Sequence, residues 1–371
     1  MSNRNNLVEL ERFLYSLLVV GYHIQAAYFP EKTFFFENGA SAVEFFFVVS
    51  GYFFARSIEK VNSKEEKNIF FDTLEFMKNK IKTILVAHIV INIFMIIFAM
   101  IIDIHSFLKI FLNRLPGVFL IQMAICWKDS MDMSFCIPEW YISTMLLCML
   151  VMAPTSFFLR RKINGIWIAL ILFAFNAVVV GIVVFCTKFN VNSTFTDDAR
   201  GWAELCIGMF SYHMSVYIAK KETFSKPVSV TLKIIEMISY HSPFVLGFVP
   251  INAKYMPLVM SVTAFLAFVA LSITFGNKGV IIQNKIINTI FGYLGSISLP
   301  IYLFHTLFIG FFLGQQNIQV WKVFVIVFLV TLIVSVIYKL IYDGIKKCIK
   351  KIKEKKEQNL GVYTETLIPL T

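Results

Sequence analysis

The sequence predicts an all-α fold, a polytopic membrane bundle of about ten transmembrane helices. Composition is the first indication, because 58% of the 371 residues are hydrophobic and only 15% are charged. Soluble domains carry about 45–50% apolar and about 25% charged residues, so a soluble protein is excluded. The second indication is the length of the apolar segments. Stretches such as 84–102 and 320–338 carry almost no charge and are long enough to cross a hydrocarbon core of about 30 Å.

Hydropathy divides the chain into eleven apolar segments, each a candidate helix. They cover residues 7–29, 39–58, 82–103, 107–126, 138–159, 163–187, 200–219, 233–250, 256–275, 288–313 and 320–342. The segment 107–126 is the weakest candidate because two basic residues, an Asn and a Pro interrupt it. We expect it to form an interfacial or re-entrant helix on the outer side of the membrane.

The basic residues predict the orientation of the bundle. The loop 56–82 carries seven Lys or Arg residues, and the tail from Lys339 carries eight. Under the positive-inside rule both face the cytoplasm, which requires an even number of crossings between them. Ten crossings meet this requirement if segment 107–126 does not span, and both termini are then cytoplasmic. We therefore predict a membrane domain over residues 1–345 and a basic cytoplasmic tail over 346–371.

Charge and cysteine usage narrow the functional classes. The net charge is +11, and the basic residues lie in loops and in the tail, so membrane orientation explains them better than a nucleic-acid partner. The six Cys residues are scattered singly without CxxC spacing. We therefore expect neither a metal site nor a disulfide framework.

Arg12 and His23 stand out among the ionisable residues at membrane depth because of their spacing. Eleven helical steps of about 100° bring them within about 20° of the same face, with an axial separation of about 16 Å. Guanidinium groups bind phosphate with two hydrogen bonds, and a neutral imidazole suits general-base chemistry. Two alternatives stay open: Arg12 anchors its helix at the lipid headgroups, or His23 simply packs between helices.

Four sequence blocks, at residues 8–23, 43–52, 138–142 and 295–305, resemble those of the acyltransferase-3 family of membrane acyltransferases. Residues 8–23 are similar to the family's opening, with an acidic residue, a Leu, Arg12, ten further residues and His23. Residues 43–52 resemble its acidic-x-FF-x-x-SG block, and residues 138–142 its tryptophan-aromatic segment. Residues 295–305 are similar to its late G-x-x-S…IYL-x-H block. The four blocks occur in the family's order and cover most of the chain.

The resemblance implies an acyltransferase, most simply an O-acetyltransferase. It would move an acyl group from acyl-CoA, usually acetyl-CoA, to a hydroxyl of a cell-surface or exported glycan. Acetyl-CoA is then a co-substrate, and no bound cofactor is expected. The implied setting is a bacterial plasma membrane, so the partners are acyl-CoA, a glycan or other hydroxyl acceptor, the lipid bilayer and surface-polysaccharide assembly proteins.

The same resemblance implies roles for particular residues. His23 would deprotonate the acceptor hydroxyl, and Arg12 would hold the phosphates of acyl-CoA. Lys82 would assist Arg12, although the family's Arg residues and following Pro at the start of the third helix are replaced by lysines without a Pro. Glu44 would orient His23 or contact the acceptor, unless it is a polar cap near its helix end. The substrate or structural supports are Ser50, Gly51, Trp140, Tyr302 and His305.

Ser50 is also a candidate for a covalent acyl intermediate, but a Ser-Gly pair at membrane depth more often permits close helix packing. Two other functions remain for the chain as a whole. One is a transporter or flippase of a glycan or lipid-linked intermediate, with Arg12 and His23 lining the path. The other is a structural partner in a surface-polymer assembly with an inactive site, against which the intact sequence blocks argue.

Overall fold

The computed structural model describes residues 5–28, 36–61, 68–125, 130–187, 193–221, 223–249, 251–312 and 320–365. Within these ranges the secondary structure is helical, without strands, which confirms the all-α prediction. The α-helices are α1 (Asn6–Tyr28), α2 (Ala42–Val61), α3 (Ile69–Ile102), α4 (Phe107–Val118), α5 (Glu139–Arg160), α6 (Gly165–Cys186), α7 (Ser193–Ala219), α8 (Lys226–Gly247), α9 (Met256–Phe275), α10 (Lys285–Phe312) and α11 (Val320–Glu365).

Seven of the described helices are long and apolar enough to cross a membrane: α2, α3, α5, α6, α9, α10 and α11. Helices α1, α7 and α8 are also at least 22 residues long, but they carry more polar residues. Helix α1 has Glu9, Glu11 and Arg12 in its first two turns, and α7 has two Asp, an Arg and a Glu in its first half. Several membrane spans are therefore present, whereas the count of ten stays a prediction.

Helix α4 lies in the weakest of the predicted segments. It has 12 residues, which is about 18 Å of helix and too short to cross a core of about 30 Å. Its apolar side chains Leu108 and Leu112 are exposed. After α4 the chain turns at Leu120, which has a φ of 56°, and a short 3-10 helix at Gln122–Ala124 follows. This geometry agrees with the predicted interfacial or re-entrant segment.

Two helix pairs organise the bundle, with α1 along α10 and α2 along α7. The backbones of α2 and α7 touch at two glycines. A side-chain carbon added at Gly51 would overlap the backbone of Leu205, and one at Gly208 would overlap the carbonyl of Val48. Small residues permit this approach between membrane helices. The contact supports the packing alternative for Gly51.

Helix α11 continues without a break from Val320 to Glu365, over 46 residues. At 1.5 Å per residue it is about 69 Å long, more than twice the hydrocarbon thickness. It therefore runs through position 345, where we place the boundary between membrane domain and tail. That boundary remains a prediction about function and location, since the helix itself does not mark it.

Candidate active site

The structure brings together two of the predicted site residues, His23 from α1 and His305 from α10. The Nδ1 of His23 lies 3.2 Å from the Nε2 of His305, although 282 positions separate them in the chain. His305 is fully buried, whereas His23 is partly accessible. Each Nδ1 also faces a carbonyl of its own helix, at 3.0 Å from Val19 for His23 and 3.2 Å from Ile301 for His305.

The hydrogen bonds of this pair assign its tautomers. A carbonyl oxygen only accepts, so the Nδ1 of His305 carries the hydrogen and its Nε2 has a lone pair in the neutral ring. The Nδ1–H of His23 can then donate to the carbonyl of Val19 and to the Nε2 of His305. This leaves the Nε2 of His23 unprotonated. It is the nitrogen that can take a proton from a substrate.

At the other end of α1, Arg12 meets a lysine. Arg12 and His23 belong to one uninterrupted helix, so their axial separation is about 16 Å. The Arg12 guanidinium lies 3.2 Å from the carboxylate of Glu9, and its side chain is 31% exposed. Lys80 on α3 is close enough to interact electrostatically with Arg12. Two cations from neighbouring helices therefore share this end of the site.

Lys82, which we expected beside Arg12, is exposed. Two residues correspond to about 200° around a helix, so Lys80 and Lys82 lie on nearly opposite faces of α3. Lys80 is half-buried. It is Lys80, and not the expected Lys82, that interacts electrostatically with Arg12.

One tyrosine lies near each end of the site: Tyr141 interacts electrostatically with Arg12, and the ring of Tyr302 is 6.3 Å from that of His305. The Tyr141 hydroxyl donates to the carbonyl of Phe46 at 3.0 Å, so the Ser50 hydroxyl, also at 3.0 Å, donates to Tyr141. Tyr302 donates to the carbonyl of Pro138 at 2.8 Å. In the described part of the chain, the partner of Ser50 is thus a phenol and not a base. A serine nucleophile needs an adjacent base, so the covalent alternative has no geometric support.

Glu44 lies in a cluster of charges that the sequence did not predict. Its fully buried carboxylate is 3.1 Å from the Arg200 guanidinium, and Glu204 interacts electrostatically with both groups. Arg200 also lies over the ring of Trp140, 5.2 Å from its centroid. Glu44 therefore pairs with Arg200, and its expected role of orienting His23 is not what the geometry provides. Asp197 adds a third carboxylate, 3.0 Å from Arg200.

This charged cluster adjoins the histidine pair through Tyr302. Arg200 is close enough to Tyr302 for an electrostatic interaction, and the rings of Tyr302 and His305 are 6.3 Å apart. One signal was available in the sequence: Arg200 and Glu204 are four residues apart within the predicted apolar segment 200–219, an arrangement that is typical of functional groups in membranes.

A second buried polar network joins α3 to the last residue of α4 and the first residue of α5. The Nδ1 of His88 lies 2.6 Å from Glu139, and its Nε2 lies 2.9 Å from the carbonyl of Val118. Asn92 donates to the same carboxylate at 3.0 Å. Both ring nitrogens of His88 thus have partners between the helices. Among the residues described, no three His, Cys, Asp or Glu side chains converge as metal ligands would.

Comparison with known families matches nearly the whole chain. The model of a family described as an acyltransferase domain covers residues 7–340, which include the histidine pair and the charged cluster. No curated protein and no solved structure matches the chain. A match over more than half of the sequence establishes the family. The chain is a member of the acyltransferase-3 family of membrane acyltransferases.

Proposed function

We propose that this protein transfers an acetyl group from acetyl-CoA to a hydroxyl of a cell-surface or exported glycan. The observation that carries the proposal is the His23–His305 pair, 3.2 Å apart, inside a domain of an acyltransferase family. The tautomers leave the His23 Nε2 as a base at the accessible side of the pair. General-base catalysis of this kind contributes about 10²–10⁴-fold to a rate.

Arg12 and Lys80 are the proposed binding site for the phosphates of acetyl-CoA. Their positive charges interact electrostatically at one end of the site, and Arg12 remains partly exposed. Phosphate oxygens would separate these like charges and accept hydrogen bonds from both. A thioester bound there can extend along α1 toward His23, about 16 Å away.

The transfer follows from these positions. His23 Nε2 takes the proton of the acceptor hydroxyl while its oxygen attacks the acyl carbon, and the C–S bond then breaks. The His23 imidazolium returns the proton to the CoA sulfur, so an ester and free CoA are the products. His305 is a positioning residue in this scheme. Its Nε2 accepts the Nδ1–H of His23, which holds the ring in orientation and stabilises its charged form.

The acceptor is proposed to bind on the side of Glu44, Arg200 and Trp140. Carboxylate, guanidinium and indole groups offer hydrogen-bond acceptors, hydrogen-bond donors and an apolar face, which together suit a polyhydroxylated ring. The cluster lies next to Tyr302 and thus next to His305. In this proposal the acceptor presents its hydroxyl to His23 from that side. We place the enzyme in a bacterial plasma membrane with both termini cytoplasmic, alongside surface-polysaccharide assembly proteins.

The proposal is tested with purified protein in nanodiscs and acetyl-CoA labelled on its acetyl group. Label transfer to extracted surface glycans and release to water are both measured. We expect His23→Ala to lower turnover by about 10²–10⁴-fold, and Arg12→Ala to weaken acetyl-CoA binding. His105→Ala is the matched control, since His105 is exposed between α3 and α4, and it should retain wild-type turnover.

Wild-type protein that neither binds acetyl-CoA nor consumes it would refute the proposed acetyltransferase activity. A transporter would then be the better interpretation, because transport does not require a base and should tolerate His23→Ala.

A further inference from the structure

A cavity lies apart from the histidine pair, on the side of the bundle formed by α6, α7 and α9. Its volume is about 550 Å³, and its wall is almost entirely apolar. Ile207, Phe210 and Tyr217 of α7 form one side, and Phe265 and Phe268 of α9 form another. Tyr217 is 58% exposed and Phe265 60% exposed, so the cavity is a groove that opens outward. In a membrane-spanning bundle this opening faces lipid.

The groove has the depth of one lipid leaflet. From Ile207 to Tyr217 the helix advances ten residues, which is about 15 Å. The hydrocarbon core is about 30 Å thick, so the length of the groove equals about half of the core. An extended acyl chain anchored at the interface has this reach. A water-soluble substrate would gain little from binding to an apolar wall.

His213 adds a polar ring to the groove lining. It stands against Gly165 at the start of α6, where a side-chain carbon would overlap the His213 ring. Next to them Glu59 pairs with Arg160 at 2.5 Å, and both interact electrostatically with His213. The apolar wall therefore leads directly to a set of ionisable groups at the membrane surface.

The charges at this end are predominantly positive. Arg161 and Lys162 follow Arg160 directly in the chain and are exposed, and the Lys162 ammonium lies over the ring of Phe158, 4.7 Å from its centroid. Lys221 lies over the ring of Tyr217, 5.3 Å from its centroid, and so joins the same end of the groove. An apolar groove one leaflet deep with a basic end is complementary to a lipid that has an apolar chain and a negative headgroup.

We propose that this groove binds an anionic phospholipid, with one acyl chain along α7 and α9 and its phosphate beside Arg161 and Lys162. The interaction is separate from the acyl-transfer site and does not depend on the proposed function. The apolar wall accepts the chain of any phospholipid. Basic residues at a membrane surface then favour an anionic headgroup by roughly fivefold each, which makes the site selective.

Native mass spectrometry in detergent tests the proposal, with phosphatidylglycerol and phosphatidylcholine of identical chains as probes. We expect the wild type to bind phosphatidylglycerol at least tenfold more tightly. The double variant Arg161→Gln/Lys162→Gln should lose roughly 25-fold in phosphatidylglycerol affinity, since two charges are removed, and keep its phosphatidylcholine affinity. Lys346→Gln/Lys347→Gln, an exposed basic pair on α11, is the charge-matched control and should bind as the wild type does.

A third variant tests the apolar part of the site. Met214→Trp enlarges a groove-lining side chain and should weaken both lipids by similar factors. Elution profile and melting temperature without added lipid establish that each variant is folded. Equal wild-type affinity for the two lipids would overturn the proposal. So would a loss in the control pair as large as that in Arg161→Gln/Lys162→Gln.

Discussion

At the scale of single residues, His305 has no contact with a substrate in the proposed reaction and acts through His23. Its Nε2 is 3.2 Å from the Nδ1 of His23 and accepts that hydrogen. Catalysis places a positive charge on His23, and hydrogen bonds to charged groups contribute about 1.5–3 kcal/mol. The pair is therefore more important in the transition state than in the resting enzyme.

Replacing His305 should thus lower kcat and leave the KM for acetyl-CoA unchanged. We expect His305→Leu to lower kcat by roughly 10- to 150-fold, which corresponds to the loss of that hydrogen bond. His305→Gln offers an amide oxygen as acceptor and should recover part of the rate. Steady-state kinetics of the two variants give the result. An equal loss in both, or a change confined to KM, would contradict a positioning role.

Part of this site could be predicted from the sequence, and part could not. The shared face of Arg12 and His23 follows from helical geometry alone, because both lie in α1. The pairing of His23 with His305 does not follow from the sequence, since no local pattern indicates that α10 packs against α1. Lys80 was missed for a related reason. Hydropathy places the start of the third helix at residue 82 and so leaves Lys80 in the preceding loop. The helix in fact begins at Ile69.

At the scale of elements, the contact of α2 with α7 depends on glycine. A Cβ at Gly51 would overlap the backbone of Leu205, and backbone atoms cannot move aside as a flexible side chain can. The two helices would have to separate. They hold Glu44 and Arg200 respectively, so the charged cluster near Tyr302 depends on the same contact.

We expect Gly51→Ala to destabilise the protein by about 1–3 kcal/mol, the usual cost of overpacking. Gly181→Ala is the matched control, because no atom lies within 4 Å of a Cβ at that position in α6. It should be neutral or stabilising by up to about 1 kcal/mol, since Ala favours helix over Gly. Thermal unfolding in detergent compares the two. Similar melting temperatures would show that α2 and α7 are less closely packed than described.

The element boundaries show which helices are predicted correctly by the hydropathy of the sequence. It located the helices whose surroundings are lipid or apolar protein, such as α6 and α9. It started α3 too late, because the first turns of that helix are polar and precede the apolar stretch. It cannot detect that α4 ends at Val118, since the His88–Val118 contact at 2.9 Å that holds this end comes from a different helix.

At the scale of the whole molecule, the number of crossings decides which side of the membrane each end of the site faces. Chemical labelling of two native cysteines can test this number. Cys186 at the end of α6 and Cys348 in α11 are exposed, whereas Cys136, Cys148 and Cys206 are buried. Five helices, α7 to α11, lie between the two reporters. If all five cross, Cys186 and Cys348 lie on opposite sides.

An impermeant maleimide should therefore label Cys186, but not Cys348, in intact cells. The measurement uses Cys348→Ser and Cys186→Ser proteins in a background with Cys126→Ser, because Cys126 lies outside the described residues. Permeabilised cells should label both and serve as the control for reactivity. Labelling of both cysteines in intact cells would mean an even number of crossings between them, so that one of the polar helices α7 and α8 does not span. Labelling of Cys348 alone would invert the orientation and place Arg12 and Lys80 outside, where acetyl-CoA could not reach them.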